Sequence, residues 1–219
     1  MSDNQSDKIN VMIVEDQAMP RQLFEAIVSS EEKLNLAVSV ENAEIADICC
    51  ARHGVDLVLM DVVTKNGASG LVAAEKIKAE NKKIKIIIVT SMPEYSYVER
   101  AKKIGVEGFW YKDFGKEPIL SVINRVLAGE TVYPEERPEV TLGLANGSDF
   151  TERELEILRE MTGGFTNAEI AEKTGLSEKR VRNIVTEMLE KTGFRNRTEL
   201  AVRAREAGIV ILERTCDDI

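Results

Sequence analysis

Apolar positions in the first part of the chain alternate between short continuous runs and longer stretches with helical spacing. This alternation predicts stacked βα units around a parallel sheet. The runs at 55–60 and 84–90 are apolar nearly throughout, as expected for central strands covered on both faces. The pattern therefore predicts an α/β fold with a doubly wound five-stranded parallel sheet. The predicted strands are 9–14, 35–40, 55–60, 84–90 and 107–111, and the predicted helices are 18–30, 42–53, 70–80, 94–104 and 116–128.

The last third of the chain shows only helical patterns. It follows residues 129–148, where glycine, proline and acidic residues give linker composition. Thr151 with Glu154, and Thr166 with Glu169, each form the capping-box signature of a helix start. The pattern predicts a small all-α domain with helices at 151–162, 166–173, 178–191 and 198–207. The predicted organisation is a first domain at 1–128, a linker at 129–148 and a second domain at 149–219.

Polar side chains stand where the predicted strands end. Glu15 and Asp16 follow the first apolar run, and Asp61 follows the third. Thr90 closes the fourth run and Lys112 closes the fifth. Because parallel strands end at one edge of a sheet, and ligands bind in the crevice there, we expect these five side chains to converge.

Three carboxylates, one hydroxyl and one ammonium at a shared edge can bind a divalent cation and a phosphoryl group. Mg²⁺ is a hard cation that prefers oxygen ligands. With its charge screened by the cation, Asp61 can attack a phosphoryl donor as a nucleophile and form an aspartyl phosphate. Thr90 and Lys112 would contact the phosphoryl oxygens. The candidate Mg²⁺ ligands are Glu15, Asp16, Asp61 and the backbone carbonyl of Val63.

Charge is distributed unevenly along the chain. The formal net charge of −9 argues against indiscriminate nucleic-acid binding by the whole surface. Residues 149–176 carry seven acidic and three basic side chains, whereas 177–205 carry eight basic and four acidic ones, a local net charge of +4. A positive stretch on an acidic protein indicates a directed nucleic-acid site.

Composition also narrows the class of protein. No apolar stretch approaches the roughly 18 residues that a membrane span needs, and the polar start of the chain has no signal-peptide core. We therefore expect a soluble cytoplasmic protein without a membrane partner. One histidine and three scattered cysteines disfavour a zinc site.

Two sets of motifs resemble known families. Residues 9–128 resemble the receiver domain of two-component response regulators through Glu15-Asp16, Leu59-Met60-Asp61, Val89-Thr90-Ser91 and Gly108-Phe109-Trp110-Tyr111-Lys112-Asp113. Residues 150–212 resemble the helix-turn-helix output domain of the NarL/LuxR/FixJ class through the runs 150–158, 166–171, 176–177 and 195–200.

The resemblance implies a flavodoxin-like first domain with strand order 2-1-3-4-5, in which Asp61 is the phosphoacceptor and Phe109 the switch aromatic. The implied function is that of a DNA-binding transcription regulator, not a turnover enzyme. Mg²⁺-dependent phosphorylation of Asp61 would control its DNA binding and dimerisation. The implied partners are a sensor histidine kinase as phosphodonor in trans, double-stranded DNA, and a second copy of the chain in an active homodimer.

Helix 178–191 is the expected reader of the major groove, preceded by helix 166–173. Its core-facing stripe, which includes Val181, Ile184 and Val185, leaves polar positions for DNA. The candidates for base edges are Arg182, Asn183 and Thr186. The candidates for phosphate contacts are Asn167, Lys179, Arg180, Lys191, Arg195 and Arg197.

The chain departs from the receiver pattern after Asp61. Relatives usually have proline four residues after the phosphoacceptor and glycine eight after it, whereas this chain has Lys65 and Gly70. The loop at 62–69 is thus expected to be one residue longer and less rigid, and Lys65 could approach the phosphoryl group. Two alternatives stay open: a regulator that no longer relies on phosphorylation, and a phosphotransferase or phosphatase with Asp61 as nucleophile. The enzyme is disfavoured by Val63, which stands where a second acid would serve it.

Overall fold

The computed structural model describes residues 8–113, 115–136 and 138–210. Their contacts form two compact units, one built on a sheet and the other on the C-terminal helices. The predicted domains also include residues 1–7 and 211–219, and these parts of the prediction lie outside the described residues.

The first unit is a five-stranded parallel sheet of order β2-β1-β3-β4-β5, which confirms the predicted α/β fold and strand order. The central strands are the most apolar, as the sequence predicts: all five residues of β3 are buried. Each predicted strand is found within two residues of its expected limits. The strands are β1 (Ile9–Val14), β2 (Leu34–Val40), β3 (Leu57–Asp61), β4 (Lys85–Thr90) and β5 (Gly108–Tyr111).

A helix follows each strand. Two helices are shorter than the sequence predicts: a 3₁₀ turn at Ala43–Ile45 precedes α2, and Pro118 is the N-cap of α5. Proline fits a helix start because it lacks the N–H that would go unsatisfied there. The helices are α1 (Ala18–Ser30), α2 (Ala46–His53), α3 (Gly70–Glu80), α4 (Tyr95–Ile104) and α5 (Ile119–Leu127).

The alternation of side chains along each strand separates two layers of core. One face of the sheet buries a continuous cluster with residues of α1 and α5, including Phe24 and Ile123. Trp110 of β5 packs against this cluster and meets the Phe24 ring edge-on at 6.4 Å between centroids. Its neighbour Phe109 therefore points to the opposite face, where it is buried.

Composition predicts a linker at 129–148, but two parts of that range have regular pairing. Val132 is buried and extends the sheet beyond β5: Phe109 N donates to Val132 O at 2.8 Å, and Val132 N donates to Glu107 O at 2.8 Å. Val132 thus covers the edge of the sheet at β5. Farther along, β6 (Thr141–Leu142) and β7 (Ala145–Asn146) form an antiparallel hairpin.

The second unit has the four predicted helices. Both predicted capping boxes are present, at Thr151 with Glu154 and at Thr166 with Glu169. Leu142 of the hairpin is buried in the same hydrophobic core as the helices. The helices are α6 (Glu152–Thr162), α7 (Asn167–Thr174), α8 (Glu178–Thr192) and α9 (Arg197–Glu206).

In the part of the chain that the structure describes, none of the helices has the length and apolar content that crossing a bilayer requires.

Candidate functional site

The C-terminal edge of the sheet brings three carboxylates together. Glu15 and Asp16 follow β1, and Asp61 is the last residue of β3. One carboxylate oxygen from each lies within 4.8 Å of the other two. Glu15 and Asp61 are buried, whereas Asp16 is half-buried. The expected convergence of these acids is therefore present.

Lys112 lies between two of the acids. It directly follows β5, and its ammonium donates to Asp61 Oδ2 at 2.8 Å and also to Glu15 Oε2. The other carboxylate oxygen of Asp61 accepts the Val62 backbone N–H at 2.7 Å. Glu15 Oε1 accepts from Gln17 N at 3.2 Å. A positive side chain is thus held against the buried acids.

Burial dominates the electrostatics of this pocket. It raises the pKa of Asp61 to about 7, although Lys112 and the Val62 N–H act in the opposite direction. Burial alone would lower the pKa of Lys112, but its contacts with Asp61 and Glu15 together outweigh that effect and raise it. Because ionisation of a carboxyl group is this unfavourable here, a bound cation would stabilise the ionised form of the pocket.

The chemistry of the donors fits Mg²⁺. Carboxylate oxygens are the ligands that this hard cation prefers, and it tolerates a site that supplies few protein ligands because it keeps several waters. Val63, the source of the predicted carbonyl ligand, lies two residues after Asp61 and pairs with Ser69 across the loop that leads to α3.

The loop after Asp61 is tightly hydrogen-bonded, contrary to the expectation of low rigidity. Thr64 N donates to Ala68 O at 3.0 Å, and the Thr64 hydroxyl accepts the Ala43 N–H at 2.9 Å. Gly70 N donates to Val62 O at 2.7 Å. Asn66 has a φ of 65°, the left-handed conformation that asparagine tolerates better than most residues. The loop is therefore held by hydrogen bonds within it and by one from Ala43.

Lys65 does not point its charge at Asp61. Its ammonium pairs with Glu41 Oε2 at 2.7 Å, and its side chain is exposed. Glu41 also pairs with Arg21 at 3.1 Å. Sequence reasoning missed Arg21 and Glu41. Arg21 lies within α1, away from any strand end, whereas Glu41 directly follows β2, so its position after a predicted strand was a signal that could have found it.

The two remaining receiver residues are buried. Thr90 ends β4 and has no exposed surface. Phe109, on β5, is 2% exposed and packs edge-on against Tyr111 with 5.1 Å between ring centroids. The candidate switch aromatic therefore lies inside the protein in this structure.

In the second unit, α7 and α8 form a helix-turn-helix. Gly175, in the left-handed conformation with φ 67°, ends α7, and Ser177 caps α8. The α8 stripe that includes Val181 and Ile184 is buried, as predicted. The opposite face exposes the polar candidates Lys179, Arg180, Arg182, Asn183 and Thr186.

Several of the predicted DNA contacts have acidic partners within the protein. Arg182 pairs with Glu178 at 2.8 Å, and Arg180 lies 3.7 Å from Glu187. These pairs are on the exposed face of α8, so both arginines can exchange a carboxylate for DNA at little cost.

Four candidates remain: Lys191 is in the last turn of α8, Asn167 begins α7, Arg197 begins α9 and Arg195 lies between α8 and α9. Lys191 is half-buried, and its ammonium donates to the Glu154 carboxylate at 2.7 Å and to Asp149 O at 2.7 Å. Arg197 donates to Asn167 Oδ1 at 2.9 Å. Arg195 is exposed. The structure therefore places all nine candidates in one unit but leaves Lys191 least available to DNA.

Proteins that join such a sheet and its acidic edge to a helix-turn-helix unit form the class of DNA-binding response regulators. Residues 11–124 match the family described as "Response regulator receiver domain". Residues 148–204 match the family described as "Bacterial regulatory proteins, luxR family". The chain belongs to the response regulators with a LuxR-type output domain, and it is a DNA-binding transcription regulator of a two-component system.

A relative agrees with this assignment, and solved structures share the fold. The transcriptional regulatory protein DesR of Bacillus subtilis is 31% identical over 200 residues, covering 91% of this chain and 98% of DesR. The RcsB response regulator of Salmonella typhimurium has a similar fold, with a TM-score of 0.57 at 18% identity, over 90% of this chain and 100% of RcsB. A structure described as two RcsB dimers bound to two parallel DNAs gives a TM-score of 0.60 at 18% identity, over 90% of this chain and 98% of that one.

Proposed function

We propose that Asp61 accepts a phosphoryl group and that this modification controls DNA binding and dimerisation. The observation that carries the proposal is the convergence of Glu15, Asp16 and Asp61 within 4.8 Å, with Lys112 bonded to Asp61. These residues come from three strand ends that are far apart in the sequence. Helix capping alone would not require them to meet.

Mg²⁺ would be held by Glu15, Asp16, Asp61 and the carbonyl of Val63. When bound, it would neutralise the clustered acids and the charge of the incoming phosphoryl group. Asp61 would then attack phosphorus through a carboxylate oxygen. A P–O bond forms as the P–N bond of a kinase phosphohistidine breaks, and the imidazole leaves with its electron pair.

Three residues would act on the phosphoryl group or report it. Lys112, already paired with Asp61, would contact a phosphoryl oxygen as a point charge. Thr90 would donate its hydroxyl to another oxygen. Phe109 would occupy the space that Thr90 leaves. The charge of the phosphoryl group would in this way favour one of two conformations of the domain.

The phosphodonor would be a sensor histidine kinase acting in trans, and the output would be a homodimer on double-stranded DNA. The dimer follows from the two-fold geometry expected of helix-turn-helix readers and is supported by the RcsB dimers described on DNA. Because the ligand is chromosomal DNA, we place the function in the cytoplasm. In this proposal residues 1–128 are the receiver domain, 129–148 the linker and 149–219 the DNA-binding domain.

Within the DNA-binding domain, the exposed face of α8 would read bases through Arg182, Asn183 and Thr186. The phosphate contacts would come from Asn167, Lys179, Arg180, Lys191, Arg195 and Arg197. Lys191 must first leave Glu154, so it is the weakest member of this set.

Acetyl phosphate with Mg²⁺ tests the proposal on the full chain. We expect a mass increase of one phosphoryl group, absent in Asp61→Asn and in EDTA, together with tighter DNA binding. Glu75→Gln, which changes an exposed acid of α3, is the matched control. Unmodified protein that binds DNA equally well would indicate a phosphorylation-independent regulator. Repeated turnover of a phosphoester would indicate an enzyme.

A further inference from the structure

Three side chains outside the acid pocket connect the loops that form it. Arg21, on α1, donates from Nη1 to the backbone oxygens of Glu15 at 2.9 Å and Asp16 at 3.4 Å. Its Nη2 pairs with Glu41 Oε1 at 3.1 Å. One guanidinium therefore holds the backbone of both acids that follow β1.

Lys65 connects the second loop to the same group. Its ammonium contacts the other carboxylate oxygen of Glu41 at 2.7 Å, and its backbone N–H donates to Glu41 O at 3.0 Å. Lys65 occupies the position where relatives usually carry proline. Proline has no backbone N–H and no charge, so it could make neither of these contacts. The connection is a feature of this chain's own residues.

We propose that Arg21 is a positioning residue for the divalent-cation site and that Glu41 and Lys65 complete its link to the loop after Asp61. This inference rests on the proposed function, because it assumes that Glu15, Asp16, Asp61 and Val63 ligate the cation. Arg21 orients the backbone that carries the first two ligands. Lys65 fixes the loop that carries Val63.

Ion-pair strength is not the basis of the effect. The side chains of Arg21, Glu41 and Lys65 are 20%, 43% and 57% exposed, and solvent-exposed ion pairs contribute little to folding stability. Mg²⁺, however, demands near-ideal octahedral geometry. Outer residues that orient metal ligands typically change metal affinity by about 10–100-fold. A network that contributes little to folding stability can therefore have a large effect on Mg²⁺ affinity.

An electrostatic role and a positioning role for Arg21 predict opposite changes in Mg²⁺ affinity when Arg21 is removed. If Arg21 acted only as a nearby positive charge, its removal would make the pocket more negative and strengthen Mg²⁺ binding. If it positions the ligands, its removal weakens binding. Arg21→Lys is the sharper variant, because it retains the charge but loses the planar fork that reaches two carbonyls and a carboxylate.

The test is a titration of the full-length protein with Mg²⁺ alone, followed by fluorescence of Trp110. This is the only tryptophan in the chain, and it lies on β5 two residues before Lys112. We expect about tenfold weaker binding in Arg21→Lys and Arg21→Gln, and a smaller loss in Lys65→Met. Arg52→Lys on α2 and Lys76→Met on α3, both exposed, are matched controls that should bind as the wild type does.

A second readout uses the metal-free protein. Hydrogen exchange of the Lys65 and Gly70 amides should accelerate in Glu41→Gln and remain unchanged in Lys76→Met. Unchanged or stronger Mg²⁺ binding in both Arg21 variants, with Asp61→Asn impaired, would overturn the positioning role and leave the proposed metal site intact. Absence of Mg²⁺ binding by the wild type, or binding that Asp61→Asn does not affect, would remove the proposed site and this inference with it.

Discussion

A Cβ atom built on Gly70 would lie 1.8 Å from the backbone carbonyl oxygen of Asp61. Gly70 begins α3, and its N–H donates to Val62 O at 2.7 Å. Helix α3 therefore starts against the backbone of the proposed phosphoacceptor. The loop between them can close only because position 70 lacks a side chain.

Gly70→Ala should consequently displace α3 or the Asp61 backbone. We expect a loss of about 3 kcal/mol or more in the free energy of unfolding, together with strongly reduced phosphorylation by acetyl phosphate. The matched control is Gly54→Ala, where φ is 57° and the new Cβ would meet nothing within 4 Å. Only backbone strain should act there, costing about 1–2 kcal/mol. Equal losses in urea unfolding of the two variants would contradict the steric explanation.

The sequence was sufficient to predict the acid pocket but not the contacts of Arg21, Glu41 and Lys65 beside it. Asp61 and Lys112 end apolar runs, and parallel topology alone brings such ends together. Arg21 has no such marker, and although Glu41 follows β2, the contact between the two depends on how α1 packs against the loop after β2. In the second unit, Glu178 precedes Arg182 by four residues, a spacing that predicts a helical ion pair. The partnership of Lys191 with Glu154 spans 37 residues and requires the tertiary fold.

Burial of Asp61 should make the stability of the metal-free protein depend on pH. Its folded-state pKa of about 7 lies above the ordinary value of 3.8, so the folded protein favours the protonated carboxyl group. Its contribution to stability is therefore complete below about pH 4 and is lost as the pH rises toward 7.

In EDTA, we expect the free energy of unfolding of the wild type to fall relative to that of Asp61→Asn over this interval. The expected difference is on the order of 4 kcal/mol, measured by urea denaturation at a series of pH values. Glu75→Gln, which removes an exposed acid of α3, is the matched control. Parallel curves for the wild type and Asp61→Asn would show that the carboxyl group titrates normally.

Arg182 is the α8 arginine that we expect to read a base. Arg182→Ala should weaken binding to a preferred operator by about 1–3 kcal/mol and relax the base preference at one position. Arg203→Ala is the matched control, because Arg203 is similarly exposed and also pairs with a glutamate, but lies on α9. The comparison requires selection of bound fragments followed by affinity measurement at fixed salt. Loss of affinity without any change of preference would reassign Arg182 to phosphate contact.

Glu154 completes the capping box of α6 and also pairs with Lys191, a candidate for phosphate contact. Its carboxylate accepts from the Thr151 N–H at 2.7 Å and from Lys191 at 2.7 Å. Burial alone would raise its pKa, but the bonds from Lys191 and Thr151 together lower it below 4.5. The stabilisation is therefore present above pH 4.5 and lost as the pH falls through the lowered pKa. Glu154→Gln should cost about 1–2 kcal/mol at neutral pH and less in acid.

The same substitution should release Lys191 toward DNA phosphates. We expect stronger non-specific DNA binding and a salt dependence steeper by up to about one phosphate contact. Glu169→Gln removes the equivalent capping box of α7, whose carboxylate bonds to Thr166 and not to Lys191. It should lower stability without changing the salt dependence. An identical salt dependence in both variants would mean that Lys191 stays away from DNA even when its partner is removed, and the phosphate contacts would then fall to the other five candidates, Asn167, Lys179, Arg180, Arg195 and Arg197.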